Sequence, residues 1–298
     1  MEKKLVAIAS LICMMACERE TGMTGSVMNE GIGRATVSVH VNEFAVSQEG
    51  FAVTRTDPTD VASYADVNAV TLAFYSGSTE VEKITQLKSD ASNYTTFGEF
   101  ECSLPMGSYT MVVVAYKVSD TSPFTLTSPT VASYTGLHAF DTFSATQAVN
   151  ITSTEAIDIS ATLDRVASML KVISTDGKAA GVTNVRMTFS AGGRSFNPTT
   201  GLATDNTGFA NTVGNSVAVG NVSTSLTYFF LATDEQTMDV TIETLDADSN
   251  VLFSKTVTDV PFKRNRKTIL SGPMYTNSGV AGSFSVSTDW LSDTNVNF

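Results

Sequence analysis

The sequence predicts an all-β protein built from two tandem antiparallel β-sandwich domains. Charged residues make up only 16 % of the chain, and many segments alternate apolar and polar side chains with the period of a half-buried strand. Short stretches rich in Gly, Asn, Asp and Pro separate these segments and predict turns. A chain of 298 residues with 42 % hydrophobic residues is long enough for two cores. We place the domains at 35–164 and 165–298.

The first seventeen residues predict export and lipidation. Two lysines precede an apolar run, Leu5–Ala16, which is too short to cross a bilayer as a helix and is typical of a signal peptide over 1–16. The run ends in a small residue directly before Cys17, as in the lipobox of a bacterial lipoprotein, so we expect cleavage there and acylation of Cys17. A plain secretory signal with a chance cysteine is the alternative. Residues 17–34 are polar and Gly-rich and predict a flexible tether to the outer membrane.

A first strand is predicted at Ala35–Val46. Val37, Val39 and Val41 alternate with polar residues and would share the buried face. The phase of the alternation slips at Asn42-Glu43, which predicts a β-bulge.

Further strands are predicted wherever the alternation resumes. In the first half they are Val67–Tyr75, Phe97–Leu104, Ser108–Val118 and Ile151–Leu163. In the second half they are Ser168–Ser174, Asn184–Ala191, Leu226–Leu231, Thr237–Leu245, Val251–Val260, Lys267–Met274 and Ser283–Trp290. Two long Ser/Thr- or Gly-rich stretches, 119–150 and 192–220, are expected to be loops with one short strand each. The final strand alternates Phe284, Val286, Thr288 and Trp290 on one face.

Composition and motifs argue against several functions. The formal net charge of −12 disfavours nucleic acid, whose binders need clustered cations. Cys102 would have no partner once the signal region is removed, so no disulfide is expected. The two histidines stand near no catalytic motif, and Asp246–Asn250 lacks the later ligands of a calcium loop. We therefore expect no enzyme, no metal and no cofactor.

The order of these features resembles one family. The lipobox is followed by a strand and an Arg-containing loop, the strand VNAVTLAFY, and the Leu-Pro-x-Gly-x-Tyr segment at Leu104–Tyr109. The segments LDRVASMLKV and VPFKRNRKTILSG then precede the last strand. Together these pieces resemble the fimbrillins of Bacteroides-type bacteria, the lipoprotein-derived type V pilins and their accessory subunits.

The resemblance implies transthyretin-like sandwiches and a subunit at the cell surface that contributes to adhesion. It further implies that an arginine-specific protease cuts after Arg55, leaving Thr56 as the new N-terminus and displacing the first strand with Val37, Val39 and Val41. The vacated groove would accept a terminal strand from another fimbrial subunit. The matching donor residues here are Phe284, Val286, Thr288 and Trp290. Anchor subunits of the family keep their first strand and their lipid.

Three other interpretations stay open. The first and last strands can simply pack in their own sandwiches, and Arg34 competes with Arg55 as a cleavage site, although a cut there would free no strand. A monomeric outer-surface lipoprotein that binds a glycan or host ligand is the alternative function, with Trp290 stacking on a sugar.

Overall fold

The computed structural model of the chain describes residues 33–45, 61–276 and 285–288. These residues form β-strands joined by turns and loops, with a short 3-10 helix at Lys88–Asn93. The strands are β1 (Arg34–Ala45), β2 (Ala69–Ser76), β3 (Thr79–Leu87), β4 (Glu99–Pro105), β5 (Gly107–Tyr116), β6 (Phe124–Ser128), β7 (Val131–Tyr134), β8 (Thr142–Ile151), β9 (Ile157–Arg165), β10 (Ser168–Ser174), β11 (Asn184–Phe189), β12 (Ser195–Asn197), β13 (Leu202–Ala203), β14 (Phe209–Gly214), β15 (Thr224–Phe229), β16 (Glu235–Leu245), β17 (Val251–Lys263), β18 (Lys267–Gly272) and β19 (Ser285–Thr288).

The first half of the chain forms one sheet that folds over on itself. Its strand order is β3-β2-β5-β8-β9-β1-β4. β8 and β9 share only two residue pairs, Phe143–Arg165 and Ser144–Asp164, so the sheet bends at this narrow ladder. The layer β3-β2-β5-β8 then faces the layer β9-β1-β4 across a core to which β1, β2, β4, β5, β8 and β9 all contribute. The all-β sandwich expected from the alternation is therefore confirmed.

The second half forms a sandwich from two separate sheets. Their strand orders are β15-β10-β18-β19 and β14-β11-β16-β17. Phe189, Phe229 and Phe262 lie at the centre of the core between them, and the rings of Phe229 and Phe262 meet edge to face at 5.1 Å. A hairpin turn joins β16 and β17, and there the Asp246 carboxylate accepts hydrogen bonds from the backbone N–H groups of Asp248 and Asn250.

Two ladders correct the purely antiparallel expectation. β1 runs parallel to β9, and β10 runs parallel to β18. In each half the first strand lies beside a strand from the end of that half, and the many residues between them supply the long crossover that a parallel pair requires. The other ladders among the described residues are antiparallel.

A fourth sheet, β13-β12-β7-β6, combines strands from both halves. It covers the outer face of β2 and β5, where Ala73 and Tyr75 are as buried as their inward-facing neighbours. Phe124, Tyr134 and Phe196 fill this second core. The described part of Gly33–Phe298 thus forms one compact unit, and the boundary between 164 and 165 stays a prediction.

Three sequence interpretations need correction. Ile151–Leu163 is not one strand, because β8 ends at Ile151 and β9 begins at Ile157 after an exposed turn. The stretches 119–150 and 192–220 were expected to hold one short strand each, but they contain β6 to β8 and β12 to β14.

Within the described ranges, no helix is long and apolar enough to span a membrane.

Candidate functional site

The candidate site is the groove that β1 occupies in the first sandwich. Ala35, Val37 and Val39 are fully buried and Val41 is 2 % exposed, so the predicted inward face is correct. These four side chains pack in the core between the two layers. Burying a Val side chain contributes about 1.5–3 kcal/mol relative to leaving it exposed, so the three buried valines of β1 stabilise this sandwich by several kcal/mol.

β1 has a hydrogen-bonded neighbour on each side. Arg34–His40 pairs antiparallel with Glu99–Pro105 of β4, and β1 also pairs parallel with β9 from Val37 onward. The ladder to β9 shifts register between Val41 and Glu43, which confirms the predicted bulge. If β1 were removed, both β4 and β9 would present an unpaired edge, and such edges favour pairing with another strand.

The end of the groove at Val41 is narrow. The backbone N–H of Val41 donates to the Gly98 carbonyl at 2.9 Å. Gly98 has a φ of +93°, and a Cβ at this position would lie 2.6 Å from Val61 Cγ1 and 3.1 Å from the Val41 carbonyl oxygen. The glycine is therefore required both by the backbone conformation and by the lack of space.

The outer face of the groove is acidic. Glu99 and Glu101 on β4 and Asp158 on β9 are exposed beside β1. On β1, His40 Nδ1 lies 3.5 Å from Glu99 Oε1, and the Arg34 guanidinium donates to Ser103 Oγ at 3.1 Å. The outward residues of β1 from Arg34 to His40 add no acidic group to this face.

Gln86 joins the free edges of the two layers. Its side-chain amide donates to the Glu99 carbonyl at 2.6 Å and accepts from the Gly98 N–H at 2.8 Å. Gln86 lies on β3 and is 5 % exposed. It therefore bridges β3 to β4 at the edge where the sheet order ends on both sides.

A buried ion pair lies at the end of β9. Arg165 Nε donates to the Asp141 carboxylate at 2.9 Å, and the Asp141 side chain is 2 % exposed. The Tyr64 hydroxyl donates to the same carboxylate at 2.8 Å and accepts from Arg165 at 2.6 Å. Burial raises the pKa of Asp141, and burial together with the nearby carboxylate raises the pKa of Tyr64. This network fixes the chain just after the predicted processing loop to the joint between β9 and β10.

Sequence reasoning missed this network. Asp141 stands in Phe-Asp-Thr-Phe, where a charged residue between aromatic ones is a signal of a buried partner. Arg165 stands at the predicted domain boundary, and no local pattern marks it as a buried residue. The two residues are 24 positions apart, so their pairing follows only from the strand order.

Several predicted site residues lie outside the described residues. These are Cys17, Arg55, Thr56, Phe284 and Trp290. The backbone at Val286 and Thr288 is described in β19, which pairs antiparallel with β18 of the same chain, Val286 opposite Leu270 and Thr288 opposite Thr268. In this structure the last strand extends its own sheet.

Cys102 is the free cysteine of the described residues. It lies on β4, opposite Val37, and burial raises the pKa of its thiol to about 11. Among the residues that the structure describes, no group of three or more His, Cys, Asp or Glu side chains is arranged to hold a metal ion.

Comparison with known proteins gives a family and a fold. The model of a family of unknown function, DUF6562, matches residues 33–297. Among curated proteins, none matches the chain in sequence. The fimbrial anchor protein Mfa2 from Porphyromonas gingivalis has a similar structure, with a TM-score of 0.52 and 12 % identity over 86 % of this chain and 97 % of that one.

Two further structures are similar at lower scores. A candidate adhesin from Bacteroides ovatus has a TM-score of 0.49 and 13 % identity, over 81 % of this chain and 88 % of that one. The tip fimbrial protein Mfa3 from Porphyromonas gingivalis has a TM-score of 0.41 and 10 % identity, over 86 % and 100 %. The likeness to the anchor protein confirms the expected fimbrial fold; at this identity it shows the fold alone.

Proposed function

The chain belongs to the DUF6562 family, and we propose that it is a subunit of a surface fimbria that contributes to adhesion. Its β1 groove would serve as the acceptor for a strand from another subunit. The shared fold of the fimbrial anchor protein supports this role. The resemblance in sequence order supports export to the outer membrane through acylated Cys17.

One observation carries the proposal. β1 is a central strand of its layer, with Ala35, Val37, Val39 and Val41 buried and both edges paired, yet one cut between residues 46 and 60 would separate it from the rest of the described chain. A strand held only by its pairing and packing can be exchanged for another strand of similar pattern. Arg55 lies in this interval, and Thr56 would then be the new N-terminus.

The proposal includes a donor. The last strand, with Phe284, Val286, Thr288 and Trp290, would leave the edge of β18 and insert into the groove of a neighbouring subunit. An edge strand with one paired side is easier to release than a central strand with two.

The N-terminus of the mature protein tests the cleavage. We expect a surface form that starts at Thr56, and we expect Arg55→Ala to abolish that form and to stop assembly into fibres. Arg34→Ala is the matched control, because Arg34 is exposed and a cut there would free no strand. Normal fibres from Arg55→Ala would contradict the cleavage site. A mature chain that starts at acylated Cys17 and retains β1 would indicate an anchor subunit.

A second candidate function is glycan binding by the uncut monomer. One observation favours it: a cleft of about 350 Å³ combines the Tyr94 ring with exposed Asn93, Thr95 and Glu101. A larger cleft of about 470 Å³ at the β9–β10 joint is lined mainly by charged residues and does not have this character. Aromatic rings and short polar side chains are the groups that contact sugars. Saturable glycan binding by the uncut monomer would support this function if it is lost in Tyr94→Ala and kept in Gln147→Ala, an exposed position that does not line the cleft.

A further inference from the structure

We infer that the β1 groove selects a strand with small, β-branched inward residues from a different subunit, and rejects this chain's own C-terminal strand. The inference rests on the proposed strand exchange and names its partner. It predicts that the chain assembles with another kind of subunit and does not form a homopolymer.

Side-chain size is the first step. The groove holds Ala35, Val37, Val39 and Val41 at four successive inward positions, all buried. The C-terminal strand offers Phe284, Val286, Thr288 and Trp290 at the same spacing. Every in-phase register that uses two or more of these residues places Phe284 or Trp290 at one of the four positions. The opposite phase would bury three serines and Asp289, whose polar groups would need partners inside the core.

The walls of the groove are the second step. Ala35 lies opposite Leu104, which is fully buried, so the larger residue of the pair is already in place. At the other end, Val41 is 2 % exposed and its N–H donates to the Gly98 carbonyl at 2.9 Å. A Cβ on Gly98 would lie 3.1 Å from the Val41 carbonyl oxygen and 2.6 Å from Val61 Cγ1, so the backbones are closely packed here. Interiors are close-packed, so an aromatic ring at either end would force the neighbouring side chains out of their preferred rotamers.

Charge is the third step. The exposed Glu99, Glu101 and Asp158 flank the outer side of the groove, and the outward residues of β1 from Arg34 to His40 include no acidic group. The outward residues of the C-terminal strand are three serines and Asp289, so that strand adds a further acidic group and no basic one. Like charges on neighbouring strands are unfavourable.

These three steps define the partner strand. It carries a small residue followed by Val or Ile at alternate positions, and uncharged or basic residues between them. The donor strand of this chain, with its two aromatic residues, would fit a wider groove on another subunit. The chain would then stand next to a different subunit on each side.

Peptide rebinding tests the inference. The full chain is cut after Arg55, the β1 fragment is displaced, and three labelled peptides are titrated by fluorescence anisotropy. One peptide covers residues 34–45, a second covers 283–294, and a third is the second with Phe284→Ala, Thr288→Val and Trp290→Val. We expect the first and third to bind at least about tenfold more tightly than the second, because overpacking of a core is strongly unfavourable.

Each outcome decides a separate point. If the second peptide binds as tightly as the third, side-chain size does not select the donor and the inference is wrong, while the groove itself still stands. If the first peptide binds and the third does not, small inward residues are insufficient and the inference is also wrong. If the β1 peptide itself fails to rebind, the groove does not persist without its strand, and the proposed function falls together with the inference.

Discussion

β1 and β10 occupy the same place in the two halves of the protein. Each has an antiparallel neighbour on one side and a parallel neighbour on the other, and each buries a row of valines or leucines. Their connections differ. β10 follows β9 after Val166 and Ala167, two buried residues, and the N–H of Val166 donates to the Thr142 carbonyl at 3.0 Å.

The difference lies in the chain path and not in the packing. β10 is tied into the structure at both ends, by the short joint to β9 and by the described segment that leads to β11. β1 is separated from β2 by an interval in which a single cut would release it. Two strands with equal burial can therefore differ in whether they are exchangeable, and the predictions below test this distinction.

The largest effect is expected at the joint that fixes β10. Arg165→Ala leaves Asp141 without its counter-charge in a buried site, which costs about 3–5 kcal/mol. Urea unfolding of the uncut chain measures this loss. Because Asp141 and Tyr64 both remain in the chain after a cut at Arg55, the same loss is expected in the cut chain filled with a β1 peptide.

A surface pair gives the control for this variant. Arg186 Nε lies 2.6 Å from Glu243 Oε2, but the Arg186 side chain is 34 % exposed to solvent. Arg186→Ala should therefore lower the free energy of unfolding by less than about 1 kcal/mol. An equal effect of the two variants would show that the buried pair has no special role at the joint.

The next effect compares the two strands directly. Val39→Ala in β1 and Val172→Ala in β10 each remove two methyl groups from a fully buried position, and each should lower the free energy of unfolding of the intact chain by about 2 kcal/mol. In mature fibres the effect of Val39→Ala should disappear, because that residue has left with β1. The effect of Val172→Ala should remain. If both variants still destabilise the fibres, β1 is retained.

A smaller effect is expected at the bridge between β3 and β4. Gln86→Ala removes the acceptor for the buried Gly98 N–H and the donor to the Glu99 carbonyl, at a cost of about 1–2 kcal/mol in the intact chain. Without β1, β4 has no ladder neighbour in the described sheet, so Gln86→Ala should weaken rebinding of the β1 peptide further. Gln147→Ala, on an exposed position of β8, is the matched control and should change neither quantity.

Alternation in the sequence predicted β1 and β10 well because both bury one face. It placed β1 within one residue at each end and β10 at its observed bounds. It failed for β3, Thr79–Leu87, whose edge position leaves every side chain but that of Gln86 at least partly exposed and hides the period. It also could not pair Arg165 with Asp141, or join β7 to β12, because these contacts depend on strand order and not on local pattern.

The alkylation rate of Cys102 shows whether β1 is in place, and it needs no substitution that changes the stability of the fold. Cys102 lies opposite Val37, and burial raises the pKa of its thiol from 9.0 to about 11, so at pH 8 the folded chain holds about a hundredfold less thiolate than an unshifted thiol would. Because the unfolded thiol loses its proton at a lower pH than the folded one, the burial of neutral Cys102 stabilises the fold fully below pH 9. This stabilisation is lost as the pH rises through the folded pKa of about 11. Alkylation with iodoacetamide at pH 8 should therefore be slow in the intact chain and faster once β1 is displaced, and a β1 peptide should slow it again. An unchanged rate after displacement would mean that β1 does not shield this thiol, and that its removal leaves the edge of β4 closed.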